Sequence, residues 1–336
     1  MVLNFQKDIS LRPYNTFGID VKSKKFVGVQ STDELKAVLK HHQGAQLLIL
    51  GGGSNLLLTQ DFEGLTIRIE TRGIEIVQED QRGARVKVAA GENWHDFVLW
   101  CLGNDLGGVE NLALIPGSVG AAPIQNIGAY GVELNQVFES CEALSLETGE
   151  VKIFNKEECE FGYRNSIFKN TLKGQYIIVS VQFNLSKAPH PINVSYGGLS
   201  EKLEGKTPNI QSIAQAVIEI RSAKLPDPQQ IGNSGSFFKN PVIPSKQFVV
   251  LQQQYPRIPH YPDQAGKIKI PAAWLIDSLG YKGYRKHDAG VHQNQALVLV
   301  NYGNASGAEI KKLAQQIREK VMEKFAINLE FEVNIL

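Results

Sequence analysis

Cysteine is scarce in this 336-residue chain: Cys101, Cys141 and Cys159 are all it has, and no two show CxxC spacing. An odd, sparse set excludes a disulfide framework and argues against a zinc site, so no metal is expected. Long apolar runs are missing as well. The longest, at 47–50 and 296–300, are strand-sized, against the roughly 20 residues needed to span a bilayer. Charge of one sign is also lacking, since 35 Lys and Arg stand against 34 Asp and Glu. A near-zero balance excludes the overall basic footprint of a nucleic-acid binder. An anionic ligand would have to be held by a few placed cations and backbone N–H groups. Residues 1–20 are mixed polar and lack a basic stretch followed by an apolar one, so no secretory signal is read there. The expectation is a reduced, cytoplasmic protein without membrane or nucleic-acid partners, in which the Asn-x-Ser/Thr sequons at Asn184, Asn193 and Asn304 carry no glycan.

What is present is a length for about two domains, because a single core stops growing beyond about 250–300 residues. Ser31-Thr32-Asp33-Glu34 matches a capping box, and Leu35, Val38 and Leu39 follow at helical spacing, predicting a helix to about His42. Strands are expected at 47–50, 65–70, 73–78 and 85–90, then a helix from Trp94 or His95 to about Leu102. Further strands are expected at 141–146, 151–154 and 176–185. A helical stripe of Ile213, Ala214, Val217 and Ile218 ends at Arg221-Ser222-Ala223-Lys224, and Leu225-Pro226-Asp227-Pro228 then breaks it, a domain boundary. Beyond it lie a strand region at 232–242, a helix near 271–279 and a strand at 296–301. A helix opened by Ser306-Gly307-Ala308-Glu309 follows, then a last strand over 328–335 in which apolar Leu329, Phe331, Val333 and Ile335 alternate with Glu330, Glu332 and Asn334. The class is α+β, in two or three lobes.

Two glycine clusters suggest chemistry. Gly51-Gly52-Gly53-Ser54-Asn55 follows a buried-type strand, and three glycines permit positive φ and close approach to a phosphate. The turn fits neither the Rossmann nor the Walker A fingerprint, and it reads equally as a tight hairpin-like turn. The stretch from Gly107 to Gly131 is poor in charge and rich in Gly, Ala, Pro and Asn. It reads either as a platform for a flat ring system or as a buried irregular connection.

Eight blocks, in order from residue 15 to residue 333, carry a specific resemblance. They are Asn15-Thr16-Phe17-Gly18, Gly51-Gly52-Gly53-Ser54-Asn55, Gly91-Glu92-Asn93-Trp94, Ile115-Pro116-Gly117-Ser118-Val119-Gly120-Ala121, Gln125-Asn126-Ile127-Gly128-Ala129-Tyr130-Gly131, Phe161-Gly162-Tyr163-Arg164-Asn165-Ser166, Gly232-Asn233-Ser234-Gly235-Ser236-Phe237-Phe238-Lys239-Asn240-Pro241 and Leu329-Glu330-Phe331-Glu332-Val333. Together they resemble the UDP-N-acetylenolpyruvoylglucosamine reductase (MurB) family, the type with a tyrosine lid loop. The resemblance implies an FAD-binding fold of the vanillyl-alcohol oxidase (PCMH) type in two lobes, 1–70 and 71–224, followed by a smaller α/β substrate-binding domain, 225–325. The last segment, 326–336, would return to the first lobe. It also implies a monomeric oxidoreductase of peptidoglycan synthesis, in which NADPH reduces FAD and the flavin passes hydride to the enolpyruvyl ether of a UDP-sugar.

For the site, the resemblance implies FAD contacts at Asn15, Thr16, Gly51, Gly52, Gly53, Ser54, Asn55, Pro116, Gly117, Ser118, Gly120, Ala121, Gln125, Asn126, Gly128, Ala129, Tyr130 and Gly131. No His or Cys in the glycine-rich turn offers covalent attachment, so the flavin is expected to be non-covalent. Hydride addition at C3 of the enolpyruvyl group drives charge through C2 onto the carboxylate, which calls for an electrophile there and a proton donor at C2. The resemblance assigns these roles to Arg164 and Ser236; by itself Ser236 would read as a turn residue. A serine is a poor acid, and neighbouring Lys239 or an ordered water is expected to stabilise its alkoxide. Glu332 and Glu330 share a strand face, and pattern alone does not choose between them; the resemblance selects Glu332, useful beside an anionic intermediate only when protonated. Tyr196, Lys224, Asn240 and Gln295 match substrate contacts, Lys224 at a diphosphate and Tyr196 from a mobile loop, although Tyr196 also reads as a core aromatic near a turn. Gly283-Tyr284-Arg285-Lys286-His287-Asp288-Ala289-Gly290 departs from the small-residue sequence expected at that edge of the substrate lobe. A flavin oxidase and a non-redox nucleotide-sugar binder are the alternatives.

Overall fold

The computed structural model of the chain describes every residue except Met1, Val2, Gln43, Ala45 and Ala265. The chain divides into two compact units. One comprises 1–9, 23–53 and 62–223, and the other 10–22, 54–61 and 224–336. Segments 10–22 and 54–61 thus leave the larger unit to join the smaller.

The larger unit holds two sheets. In the first, the strands run in the order Gln6–Ser10, Lys22–Val29, Phe62–Ile69, Leu47–Leu50, with the last three mutually parallel. Parallel strands need crossover connections, and helix Thr32–Lys40 supplies the one from Lys22–Val29 to Leu47–Leu50, which flank Phe62–Ile69. Ser31 caps it by accepting from the Glu34 N–H at 3.1 Å, and Glu34 answers by accepting from the Gln30 N–H at 2.6 Å. Leu35 and Val38 of this helix are buried with Val27, Val29, Leu65 and Ile67. The second sheet is antiparallel, in the order Val151–Asn155, Phe138–Ser145, Tyr176–Ser186, Gly83–Ala89, Ile74–Glu79. The alternation of Ala84, Val86 and Val88 buries one face of its fourth strand, where it packs with Trp94, Phe97 and Cys101 of helix Trp94–Gly103 and with Phe183. The rings of Trp94, Phe97 and Phe183 lie 4.9–5.9 Å apart, and each such pair is worth about 0.5–1.5 kcal/mol beyond its buried area.

The hairpin-like alternative for 51–55 does not hold. Leu47–Leu50 pairs with Phe62–Ile69, whereas Leu56–Leu57 pairs in parallel with Asn334–Ile335. Residues 107–131 are largely buried and built from single 3-10 turns at Glu110–Leu112, Val119–Ala121 and Pro123–Gln125.

The smaller unit carries an antiparallel sheet ordered Gly232–Ser236, Val298–Asn301, Ala289–Val291, Arg285–Lys286. Helix Gly307–Phe325 is closed by the capping box of Ser306 and Glu309 and buries Ile310, Leu313, Ile317, Val321 and Phe325. The strand expected over 328–335 is broken up. Its alternation survives in buried Leu329 and Val333, but the pairing is a single bridge at Phe238–Phe331 and a two-residue ladder at Asn334–Ile335. The atypical segment at 283–290 is a hairpin with His287 in the left-handed region at φ 53°. Arg285 braces it, donating to the His287 carbonyl at 2.7 Å and to Asp288 at 3.0 Å, with its guanidinium over the Tyr302 ring. The polar residues there hold their own turn together.

Candidate active site

In the larger unit, three backbone bonds bind the Gly117–Gly120 segment to the stretch that opens helix Trp94–Gly103. The N–H of Trp94 donates to Gly117, that of Val119 to Glu92 and that of Gly120 to Ala90, at 2.8–3.0 Å. Gly117 has φ 124°, open to glycine. A Cβ on Gly52 would stand 2.8 Å from the Gly117 Cα, and one on Gly120 would stand 2.5 Å from the Ala90 Cβ. A Cβ on Gly51 would strike the Ser118 hydroxyl. The two glycine clusters therefore meet closely, Gly52 against the Gly117 backbone and Gly51 against the Ser118 side chain, with no room for a side chain at either glycine.

Asn126 links the next block to the Arg164 turn. It is fully buried at φ 45°, donating to Glu133 at 2.8 Å and to the Gly162 carbonyl at 3.1 Å, and accepting from the Asn135 N–H at 3.0 Å. Arg164 sits in the left-handed region at φ 51°, with its Nη2 donating to the Gly128 carbonyl at 2.5 Å. Leu114 and Tyr130 are also left-handed, at φ 59° and 50°. Non-glycine residues held there store backbone strain, and such strain concentrates at functional sites. Tyr130 packs edge-on against Tyr196, with ring centroids 5.2 Å apart. Tyr196 is 47% exposed, so the reading of it as a core aromatic fails.

One residue of this cluster carried no functional signal in the sequence. Arg221, in helix Ile210–Lys224, is largely buried, and its Nε has no hydrogen-bond partner among the described residues. Burial holds its pKa below the ordinary arginine value, the Tyr130 hydroxyl acts to raise it, and the Arg164 charge adds to the lowering. Burial likewise raises the Tyr130 phenol and lowers His95. The sequence offered only its place at the end of an amphipathic stripe. A largely buried cation that a second cation acts on suits an electron-rich or anionic group.

In the smaller unit, Asn15 spends its amide on its own loop, donating to the Leu11 and Ile19 carbonyls at 2.7 and 3.0 Å and accepting from the Ile19 N–H at 2.9 Å. It presents Thr16, whose hydroxyl lies 3.4 Å from that of Ser234 and whose carbonyl accepts from the Asn233 N–H. The Asn55 amide donates to the Glu332 carbonyl at 3.3 Å, and the Asn55 carbonyl accepts from the Asn334 side chain at 3.0 Å. Ser236 follows an irregularity in its strand, with Gly235 at φ 67° and the Gly235 N–H held by Asn233 at 3.0 Å; a break of this kind re-aims the next side chain. The segment after Ser236 pairs with the C-terminal one, the Glu332 N–H donating to Phe237 and the Lys239 N–H to Glu330. Ser236 and Glu332 are thereby brought to adjoining stretches of backbone. Lys239 does not serve Ser236 as expected: its ammonium is held by Glu330 at 2.9 Å. That ion pair also separates the two glutamates, since Glu330 is 67% exposed in it.

Asn240 caps helix Ala272–Asp277 by accepting from the Ala272 N–H at 2.9 Å. Gln295 accepts from the Leu297 N–H at 3.3 Å, and Lys224 is exposed at the end of its helix. No group of side chains among the described residues could hold a metal ion, and no helix is long and apolar enough to cross a membrane.

Residues 23–155 match the family model "FAD binding domain", and residues 227–336 match "UDP-N-acetylenolpyruvoylglucosamine reductase, C-terminal domain". The chain is 49% identical to the UDP-N-acetylenolpyruvoylglucosamine reductase of Flavobacterium johnsoniae, over 99% of this chain and 100% of that one. Among solved structures it is similar to the MurB of Thermus caldophilus, with a TM-score of 0.68 at 24% identity over 100% of this chain and 99% of that one. It also resembles the VAO-type flavoprotein MtVAO615 of Myceliophthora thermophila C1, with a TM-score of 0.50 at 12% identity over 94% of this chain and 72% of that one. The expected FAD-binding fold of the vanillyl-alcohol oxidase type, followed by a MurB C-terminal domain, is the fold observed, and the chain belongs to the UDP-N-acetylenolpyruvoylglucosamine reductase family.

Proposed function

We infer that this chain is an FAD-dependent oxidoreductase that uses NADPH to reduce UDP-N-acetylenolpyruvoylglucosamine to UDP-N-acetylmuramate, a step of peptidoglycan synthesis. The observation that carries the reading is Arg164, a guanidinium fixed in a left-handed turn and acting on a largely buried Arg221 whose Nε has no hydrogen-bond partner among the described residues, in a chain of this family.

The residues present fit FAD. Gly52 lies against the Gly117 backbone and Gly51 against Ser118, leaving main chain that a flat or diphosphate-bearing group can approach closely, and the Arg221 Nε, without a partner among the described residues, is a donor for an anionic group. Asn15 positions the loop that presents Thr16. The group would be held by Thr16, Gly51, Gly52, Gly53, Ser54, Asn55, Pro116, Gly117, Ser118, Gly120, Ala121, Gln125, Gly128, Ala129, Tyr130, Gly131 and Arg221, with Asn126 fixing the turn behind them. When bound and reduced by NADPH, FAD supplies the hydride that adds to C3 of the enolpyruvyl group.

Hydride addition pushes negative charge onto the substrate carboxylate. Arg164 meets that charge with a planar fork of donors, and its bond to Gly128 fixes where the fork points. Ser236 delivers the proton to C2. Glu332, on the adjoining C-terminal stretch, stabilises the intermediate or passes on a proton. Lys224 meets the diphosphate of the UDP-sugar, Tyr196 covers it as a lid, and Asn240 and Gln295 hold the sugar. We place lobe 1 of the FAD domain at 1–70, lobe 2 at 71–224 and the substrate domain at 225–325, and we take the protein to work as a cytoplasmic monomer, where NADPH and nucleotide-sugars are available.

The reading is tested by incubating the protein with NADPH and the enolpyruvyl substrate under nitrogen and weighing the product. A UDP-sugar that gains two hydrogens per NADPH consumed supports it. Oxygen-dependent turnover of a sugar alcohol without such a product would point to an oxidase instead.

A further inference from the structure

The Asn193-Val194-Ser195 sequon lies between strand Tyr176–Ser186 and helix Gly197–Lys202, in the segment that ends on Tyr196. Its asparagine is a junction. The Asn193 Oδ1 accepts from the Ser195 N–H at 3.0 Å and the Ser195 hydroxyl at 2.7 Å. Its Nδ2 donates to the Gly131 carbonyl at 3.0 Å. The Asn193 carbonyl accepts at 2.9 Å from Nδ2 of buried Asn111, which also donates to the Tyr130 carbonyl at 2.9 Å. Tyr130 and Gly131 are consecutive left-handed residues, at φ 50° and 80°. Two neighbouring carbonyls of one tight turn are thus taken by two asparagines that are bonded to each other. The Tyr196 ring, three residues on, packs edge-on against Tyr130. At the other end of the segment His190 is fixed separately, between the Ser186 hydroxyl at 3.1 Å and Asp105 at 3.2 Å.

We propose that Asn193 is a positioning residue, latching the Tyr196 segment to the Tyr130–Gly131 turn and so setting how much of the time Tyr196 stands ready to receive the UDP-sugar. The proposal rests on the reading of Tyr196 as a substrate contact. The two halves of the Asn193 amide do different work. The oxygen closes a local turn on Ser195, while the nitrogen makes the bond to the other loop. An aspartate keeps the first and loses the second, and it sets a negative charge against the Gly131 carbonyl.

The test compares N193A, N193D and Y196A as FAD-loaded proteins. Apparent affinity falls in proportion to the population of the competent conformation. N193A is therefore expected to raise the KM for the enolpyruvyl substrate about tenfold, leaving kcat and the rate of flavin bleaching by NADPH unchanged. N193D is expected to match N193A. A wild-type KM in N193D would reduce Asn193 to a turn residue and overturn the proposal, as would an unchanged KM in N193A. Bound flavin, read from the visible spectrum, reports folding. If N193A loses it, the nearly isosteric N193D decides the matter alone. Y196A separates the two readings. If it raises KM while the Asn193 variants do not, the latch fails alone; if Y196A leaves KM unchanged, the substrate role of Tyr196 fails and the latch with it.

Discussion

Arg221→Met tests whether the buried guanidinium is kept for a ligand. The Arg221 Nε is buried without a hydrogen-bond partner among the described residues, and the Arg164 charge adds to the lowering of its pKa. An unsatisfied buried donor costs about 1–3 kcal/mol, and removing an uncompensated buried charge in favour of a well-packed apolar group is neutral or stabilising. Methionine follows a similar path through the helix face without the charge. The FAD-free variant is therefore expected to unfold at equal or higher urea concentration, by the equivalent of about 0–3 kcal/mol. FAD should then bind more weakly. A hundredfold loss of affinity removes about 2.7 kcal/mol of ligand-derived stability at saturating cofactor, so adding FAD shifts the comparison toward the parent by that amount. Urea titrations followed by tryptophan fluorescence, with and without FAD, read both quantities. A variant less stable than the parent without cofactor, or one that binds FAD as tightly, would refute the reasoning.

Ser236→Ala is expected to leave reduction of the flavin by NADPH intact and to slow reoxidation by substrate at least ~10²-fold, the scale of a lost general acid; stopped-flow absorbance separates the two steps, and equal loss in both would remove Ser236 from its role. Gly52→Ala places a methyl group 2.8 Å from the Gly117 Cα, so the purified protein should carry little flavin while keeping its far-UV circular dichroism. His95 accepts a hydrogen bond from the Leu114 N–H at 3.0 Å, and burial lowers its pKa. The unfolded chain therefore binds the proton more readily. The stability that His95 contributes is complete above the unfolded-state value of about 6.5 and is lost as pH falls through the lower folded value. His95→Gln should flatten that acid limb in urea titrations, and an unchanged slope would count against it.

The local elements were legible where the signal is short-range. The Ser31 and Ser306 caps, the amphipathic stripes behind them and the alternation at 83–89 are set within a few residues, and helices and strands formed there. The last strand was legible only as an alternation. Whether it forms a ladder depends on partners more than 90 residues away, and those supply single bonds at Phe237 and Lys239. The Lys239–Glu330 pair is a contact of the same kind: both residues were noticed, but only the folded register shows that they meet. Arg221 went unread because its burial and its nearness to Arg164 and Tyr130 are tertiary facts. The segment at 283–290 looked atypical because its turn is braced by side chains, a solution that pattern alone does not reveal.

The most direct test of the central claim is the visible spectrum of the purified protein, held anaerobic through addition of NADPH and then of UDP-N-acetylenolpyruvoylglucosamine. A yellow protein that bleaches with the first and recovers its colour with the second is the expected result. A colourless protein that takes up no FAD, or a bleached flavin that the substrate leaves unchanged, would contradict the account.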